Sequence, residues 1–410
     1  MAFSAAGPPA GYAGMMGGPS SGHTRVSYKR APNFLERLGG SMCGSIVGLF
    51  LIAGACALLF LNEGRSVHTY NMLVETSHIC KPVKSPDSVY SVLDNQLIYL
   101  SGKLSTSGPV SDVEFGVSGH YVRLKRKVEM YQWIEETEKR EFKEPDGTIR
   151  EERRYSYSTA WRSNVVNSNS FDDPRYHQNP RSMPVGSMEW TADRTSVGRY
   201  ELSHDAVAEI SNFRPLNPSR EVTNAGNVMT VYGDMLYSGI PQRPEVGDIR
   251  ISYTYAGRTD EGREDTVSVV ARQSPGPLLT PFTTSDGYRV LFLYQEALSM
   301  DEVFERQHAS NQAITWLLRG LGWLLTVVGF NLVAGILTTL VDWIPLVREL
   351  VSLSVLLLSL ALGSSLSLFV MAVAWLRYHP LYGFAILLAA ASPFIISKFL
   401  SHRNEQRKAC

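Results

Sequence analysis

Met42 to Leu61 reads MCGSIVGLFLIAGACALLFL, without a charged residue. A helix needs roughly 20 apolar residues to cross the hydrocarbon core of a bilayer, and this stretch supplies them. Three further blocks follow. Leu321 to Val341 is interrupted by Asn331, Leu350 to Leu376 is uncharged, and a last block starts at Leu381 and fades near Lys398. The expected spans are residues 42–62, 317–341, 350–376 and 381–399. Roughly forty residues precede the first, and Asn62-Glu63-Gly64-Arg65 after it lacks a small-x-small cleavage pattern, so it reads as an anchor that is retained.

Working outward, the charges sit between the blocks. The 39 basic and 39 acidic residues balance, which removes the electrostatic basis for binding nucleic acid. Four spans place both termini on one face. One set of flanks carries Arg25, Lys29, Arg30, Arg37, Arg348, Lys398, Arg403, Arg407 and Lys408, and the other Arg65, Arg306, Arg319 and Arg377. Positive charge favours the cytosolic side, so both tails are expected in the cytosol or nucleoplasm and the insert between spans 1 and 2 in the lumen. Trp316, Trp323, Trp343 and Trp375 fall near span ends, where indole rings prefer to sit.

The insert, residues 66–313, is long enough for a core of its own. Tyr121 to Ile134 and Thr148 to Ser163 alternate apolar and polar residues around Pro145-Asp146-Gly147, a turn sequence, and predict a long hairpin. Further strands are expected at Val228–Tyr237, Asp248–Tyr255, Thr266–Arg272 and Tyr288–Tyr294. Ser299-Met300-Asp301-Glu302 has the form of a capping box opening a helix into span 2. Arg65–Thr76 is expected to extend span 1. The fold class is therefore an α+β membrane protein, with four transmembrane helices and one large, mainly β lumenal domain inserted between helices 1 and 2. Residues 1–32 form a Gly/Pro-rich tail expected to be disordered, and 400–410 a basic cytosolic tail.

No P-loop, G-x-S-x-G, H-E-x-x-H or C-x-x-C is present. His68, His78, His120, His177, His204 and His308 show no metal-ligand spacing, and Cys80 is the lone cysteine of the insert. No catalytic, metal or cofactor residue is assigned. Small residues recur every fourth position at Gly40, Gly44 and Gly48 and at Ser359, Gly363 and Ser367, ridges that let helix backbones approach closely, within one bundle or between subunits. Asn331 is a candidate for an interhelical hydrogen bond. Arg319 is placed at the lumenal mouth of span 2, free to snorkel. Arg407-Lys408-Ala409-Cys410 has the form of a dilysine-type retrieval signal or of an ordinary positive-inside tail.

Several ordered blocks resemble the transmembrane protein 43 (LUMA) family: FLER at Phe34–Arg37, NEGR at Asn62–Arg65, SPDS at Ser85–Ser88, VEMYQW at Val128–Trp133 and RYSYSTAWRS at Arg154–Ser163. PEVGDIRISYTYAG at Pro244–Gly257, VVARQ at Val269–Gln273, EVF at Glu302–Phe304 and LVDWIP at Leu340–Pro345 continue the match, which closes on Trp375, Tyr378, Pro380 and Leu381. Met1 to about Thr24 and the short Thr259–Glu264 loop depart from the family pattern. The resemblance implies a non-enzymatic, self-associating scaffold of the endoplasmic reticulum and inner nuclear membrane, binding lamins and emerin-like envelope proteins. The rival readings are a channel or transporter subunit, with Asn331 on the path, and a lumenal enzyme whose site is assembled from distant residues.

Overall fold

A computed structural model describes residues 22–30, 32–145, 148–218, 229–341 and 345–378. The apolar blocks lie on three long helices: α1, Phe34–Ile79; α2, Met300–Leu340; and α3, Pro345–Tyr378. Each is long and apolar enough to cross a membrane. At about 1.5 Å per residue α1 measures roughly 70 Å, more than twice a hydrocarbon core, so several of its turns stand clear of the bilayer. The predicted capping box opens α2: Ser299 N–H donates to Glu302 Oε2 at 2.7 Å and Glu302 N–H to Ser299 Oγ at 3.3 Å. The fourth expected span, 381–399, the tail 400–410 with Arg407 and Lys408, and the hairpin turn at Asp146-Gly147 lie outside the described residues.

The chain folds into two units, which divide the expected single insert. Among the described residues, one comprises those of 22–30, 103–196 and 210–265, and the other those of 32–102, 197–209 and 266–378. The division explains why the insert reads as one domain in sequence: the second unit draws strands from three separated stretches.

The first unit is built on an antiparallel sheet around β2 (Tyr121–Lys143), β3 (Thr148–Arg162) and β4 (Ile249–Arg258). The first half of β2 pairs with β4, from Tyr121↔Arg258 to Met130↔Ile249, and its second half with β3, from Met130↔Arg162 to Lys143↔Ile149. The alternation on β2 buries Leu124, Val128 and Met130 against Ile251, Tyr253 and Leu236. Arg126 shares that inward parity. Its guanidinium is neutralised in place by Asp112 at 2.8 Å and Glu114 at 2.7 Å, and it lies over the Phe115 ring. Beyond Ile134, β2 is polar except for Phe142, over whose ring Arg150 lies, and this half of the hairpin is a solvated ribbon with cross-strand ion pairs.

The edge of that ribbon departs from expectation. Within the 1–32 tail, His23–Arg30 is an ordered strand, β1, pairing antiparallel with β3 from His23↔Tyr155 to Arg30↔Thr148. Its alternating cations find partners: Lys29 Nζ lies 2.5 Å from Glu151, Arg25 Nε 2.9 Å from Asp172, and His23 bonds Asp172 as well. A Gly/Pro-rich composition directs attention away from HTRVSYKR, which alternates as a strand should.

The second unit packs the helix ends onto a second sheet. Leu73 of α1 and Val303 and Phe304 of α2 close over Leu97, Val270 and Phe292, with Cys80 and Leu298 completing the core. Thr266–Gln273 lies inside this sheet, pairing with Phe292–Tyr294 and with Leu278–Thr280. Helices and sheet thus share one core.

Candidate functional site: a polar collar on the helix bundle

Where α1 leaves its apolar stretch, it carries Asn62-Glu63-Gly64-Arg65, and Asn62 and Glu63 are buried at 3% and 2% exposure. A buried carboxylate is costly unless paired and hydrogen-bonded. Arg319 of α2 meets it with two bonds, Nε to Oε1 at 2.6 Å and Nη2 to Oε2 at 2.7 Å. Trp375 Nε1 of α3 donates to the same Oε2 at 3.2 Å, so the three helices converge on one carboxylate. Gly64 admits the third helix: a Cβ there would lie 2.5 Å from Tyr378 Oη.

The network continues away from the apolar blocks. Arg65 donates to Asn311 Oδ1 at 3.0 Å, Thr315 Oγ1 at 2.9 Å and Asn62 Oδ1 at 3.2 Å. Asn62 Nδ2 donates to Thr315 O at 3.1 Å, and Asn311 Nδ2 to Ser66 O at 3.0 Å. Arg319 also lies 4.9 Å over the Trp316 ring. One carboxylate and two guanidiniums leave the collar with net positive charge. Beside it runs a groove of about 690 Å³ between α1 and α2, lined from Ser66 and Tyr70 on one side to His308, Gln312, Trp316 and Arg319 on the other.

Within the apolar blocks the expected packing residues separate into two groups. Gly48 sits against α2: a Cβ there would lie 2.6 Å from Gly329 O. Nearby, Ser45 Oγ donates to Val333 O at 3.1 Å. Gly363 faces Val327, Ser367 Oγ lies 2.8 Å from Thr326 Oγ1, and Ser359 is buried. Gly40 and Gly44 instead meet no described residue within 4 Å. Asn331 is half-buried, and its side chain makes no hydrogen bond to a described residue. Among the described residues, the structure therefore places Gly48, Ser359, Gly363 and Ser367 in helix contacts and shows none at Gly40 and Gly44.

Sequence reasoning missed the collar, treating Arg319 as a snorkelling residue and Asn62–Arg65 as a flank. The available signal was symmetry. Glu63 stands two residues beyond Leu61 and Arg319 two before Leu321, so antiparallel neighbours hold opposite charges at one depth. Chemically, the Glu63 carboxylate accepts three hydrogen bonds from two other helices, which makes the collar a clamp. Among the described residues no cluster of three or more His, Cys, Asp or Glu could hold a metal.

In the β-rich unit His177 is a packing residue, stacked 3.8 Å from Tyr157 with Nδ1 3.0 Å from Asp173 O. Burial, with the Glu135 carboxylate 2.8 Å away, pushes the Tyr157 phenol up to about 12.

Long apolar helices clamped at one level, carried continuously into a sheet and interrupted by a β-rich insert, define a polytopic membrane protein with a large extramembrane part. The comparisons place it further. The model of the family described as Transmembrane protein 43 matches residues 130–380. Transmembrane protein 43 of Homo sapiens and of Rattus norvegicus are each 39% identical over 384 residues, covering 92% of this chain and 94% of theirs. The Drosophila melanogaster homolog is 32% identical over 355 residues, covering 86% and 93%. The chain belongs to the transmembrane protein 43 family. No solved structure matches it.

Proposed function

We propose that this protein is a non-enzymatic, multi-pass scaffold of the endoplasmic reticulum and inner nuclear membrane. It organises envelope protein complexes, with lamins and emerin-like proteins as the partner class. The observation that carries the reading is the collar. Three apolar helices are fixed to one another at a buried, fully donated carboxylate, and two of them share a core with the second sheet. Among the described residues such a bundle ties the second sheet to the apolar helices, which suits a scaffold. Gly48, Gly363, Ser359 and Ser367 are occupied within the chain, so self-association falls to the Gly40/Gly44 face of α1, which no described residue covers.

The test is proximity cross-linking of the full chain in intact nuclear-envelope membranes, paired with sizing in mild detergent. Recovery of envelope proteins with an oligomeric species supports the scaffold. A strict monomer that captures no envelope protein refutes it.

A further inference from the structure

We propose that the groove between α1 and α2 holds the headgroup of an anionic phospholipid. Its place comes first. The apolar blocks end at Leu61 on α1 and begin at Leu321 on α2, so Arg319 marks the hydrocarbon boundary. From Arg319 to His308 the groove climbs α2 by eleven residues, about 16 Å at 1.5 Å each. The headgroup layer is only about 5–7 Å deep on each side. The groove therefore opens at the acyl boundary, passes through the whole headgroup layer and emerges above it, the span a phosphate and its headgroup substituent occupy.

The lining supports the same occupant. His308, Asn311, Gln312, Thr315, Trp316 and Arg319 follow i, i+3, i+4, i+7, i+8, i+11 spacing, one continuous face of α2. No carboxylate is among the described residues that line the groove. Glu63, beside it, is buried and already bound by Arg319, and the collar behind it keeps net positive charge through Arg65. Arg319 uses two nitrogens on Glu63, while Nη1 makes no hydrogen bond to a described residue. Guanidinium groups favour phosphate oxygens, and a cationic site at this level draws anionic lipid. The Trp316 indole, 61% exposed at the boundary, supplies the amphipathic ring that sits at headgroup level in membrane proteins. A carboxylate-free groove over a cationic base, set at this depth, separates the reading from a generic cleft between helices.

Full-length protein reconstituted in nanodiscs of phosphatidylcholine with a minor fraction of phosphatidylserine is extracted into mild detergent, and co-purifying lipid is quantified by mass spectrometry. Enrichment of phosphatidylserine over phosphatidylcholine is expected. The exposed Gln312 carries the mutational test. Gln312→Glu should cut the enrichment about five- to tenfold by setting a like charge beside the phosphate, whereas Gln312→Lys should preserve or raise it. Unchanged thermal unfolding of both variants shows that the fold is intact. Equal retention of the two lipids by the natural chain, or enrichment indifferent to Gln312→Glu, overturns the proposal. So does displacement of the lipid by millimolar inorganic phosphate, which would mark a site for soluble anions.

Discussion

Removing the arginine from the collar gives the sharpest test of the clamp. In Arg319→Met, Glu63 keeps its 2% exposure but loses both guanidinium bonds, at 2.6 and 2.7 Å, and retains only the Trp375 N–H at 3.2 Å. Breaking a buried pair by deleting one partner costs about 3–5 kcal/mol, because the surviving charge is stranded. For a unit of this size each kcal/mol shifts the midpoint by roughly 2–4 °C, so the helix-bearing unit should unfold about 6–20 °C earlier. Arg319→Lys should recover only part of this, since an ammonium cannot reproduce the two-pronged contact. The double variant Glu63→Gln/Arg319→Met removes both charges while sparing an acceptor for Trp375. It should fall within about 1–2 kcal/mol of the natural chain. The assay is thermal unfolding of the detergent-solubilised full chain by tryptophan fluorescence, with Trp316, Trp323 and Trp375 reporting on this unit. If the double variant loses as much as Arg319→Met and Glu63→Gln measured singly and added together, the pair is not coupled and there is no clamp.

Four further outcomes follow from the same geometry. Gly48→Leu should destabilise the bundle by about 1–3 kcal/mol through overpacking, since even its Cβ would stand 2.6 Å from Gly329 O, while Gly44→Leu should be near neutral for unfolding. Equal effects in a melting experiment would refute this placement of α1. Cys80 is buried, and burial pushes its thiol up to about 12; with Cys43, Cys56 and Cys410 replaced, it should resist maleimide at pH 8 until the chain is unfolded. Hydrogen bonds from Lys29, then Arg153, hold the Glu151 carboxyl at about 2. A depressed folded value stabilises the β1 clasp above the ordinary carboxylate range, and the contribution is lost as pH falls towards 2. Hydrogen exchange of residues 23–30 should therefore stay slow at pH 5 relative to intrinsic rates and lose protection near pH 2, and Glu151→Gln should weaken protection at neutral pH. Finally, Val26→Cys with Glu152→Cys, opposite each other in the β1–β3 register, should form an intrachain disulfide in any population where that clasp exists.

How much of this was legible follows from where the determinants lie in the chain. The apolar blocks announce α1, α2 and α3 because bilayer thickness fixes a length that composition alone can reveal. The hairpin was readable from alternation on Tyr121–Ile134 and Thr148–Ser163, and Ser299 with Glu302 named the start of α2, since both signals are local. The collar was not, because Glu63 and Arg319 are separated by the whole insert and each alone reads as an ordinary flanking charge. The two-unit division was hidden for the same reason. The small-residue ridges were visible, but spacing gives only a face and not its neighbour. Gly44 and Gly48 differ solely in what α2 brings to them.

The clasp bears directly on how the chain sits in a membrane. β1 precedes α1 and β3 follows it, and only Ala31 to Asn33 connect β1 to that helix. If α1 crosses a bilayer once, its two ends stand on opposite faces and β1 cannot reach β3; if β1 is paired with β3, that crossing is not made in the same chain. The two arrangements exclude each other. In the clasp Arg25 and Lys29 are bound to Asp172 and Glu151, and cations already paired within a folded unit no longer bias insertion as free flanking charges do. The Val26–Glu152 cysteine pair separates the cases. A disulfide in membrane-inserted protein would place His23–Arg30 on the same side as the β-rich unit and remove the single crossing by α1. Its absence there, with formation in detergent, would make the clasp a property of the chain outside the bilayer.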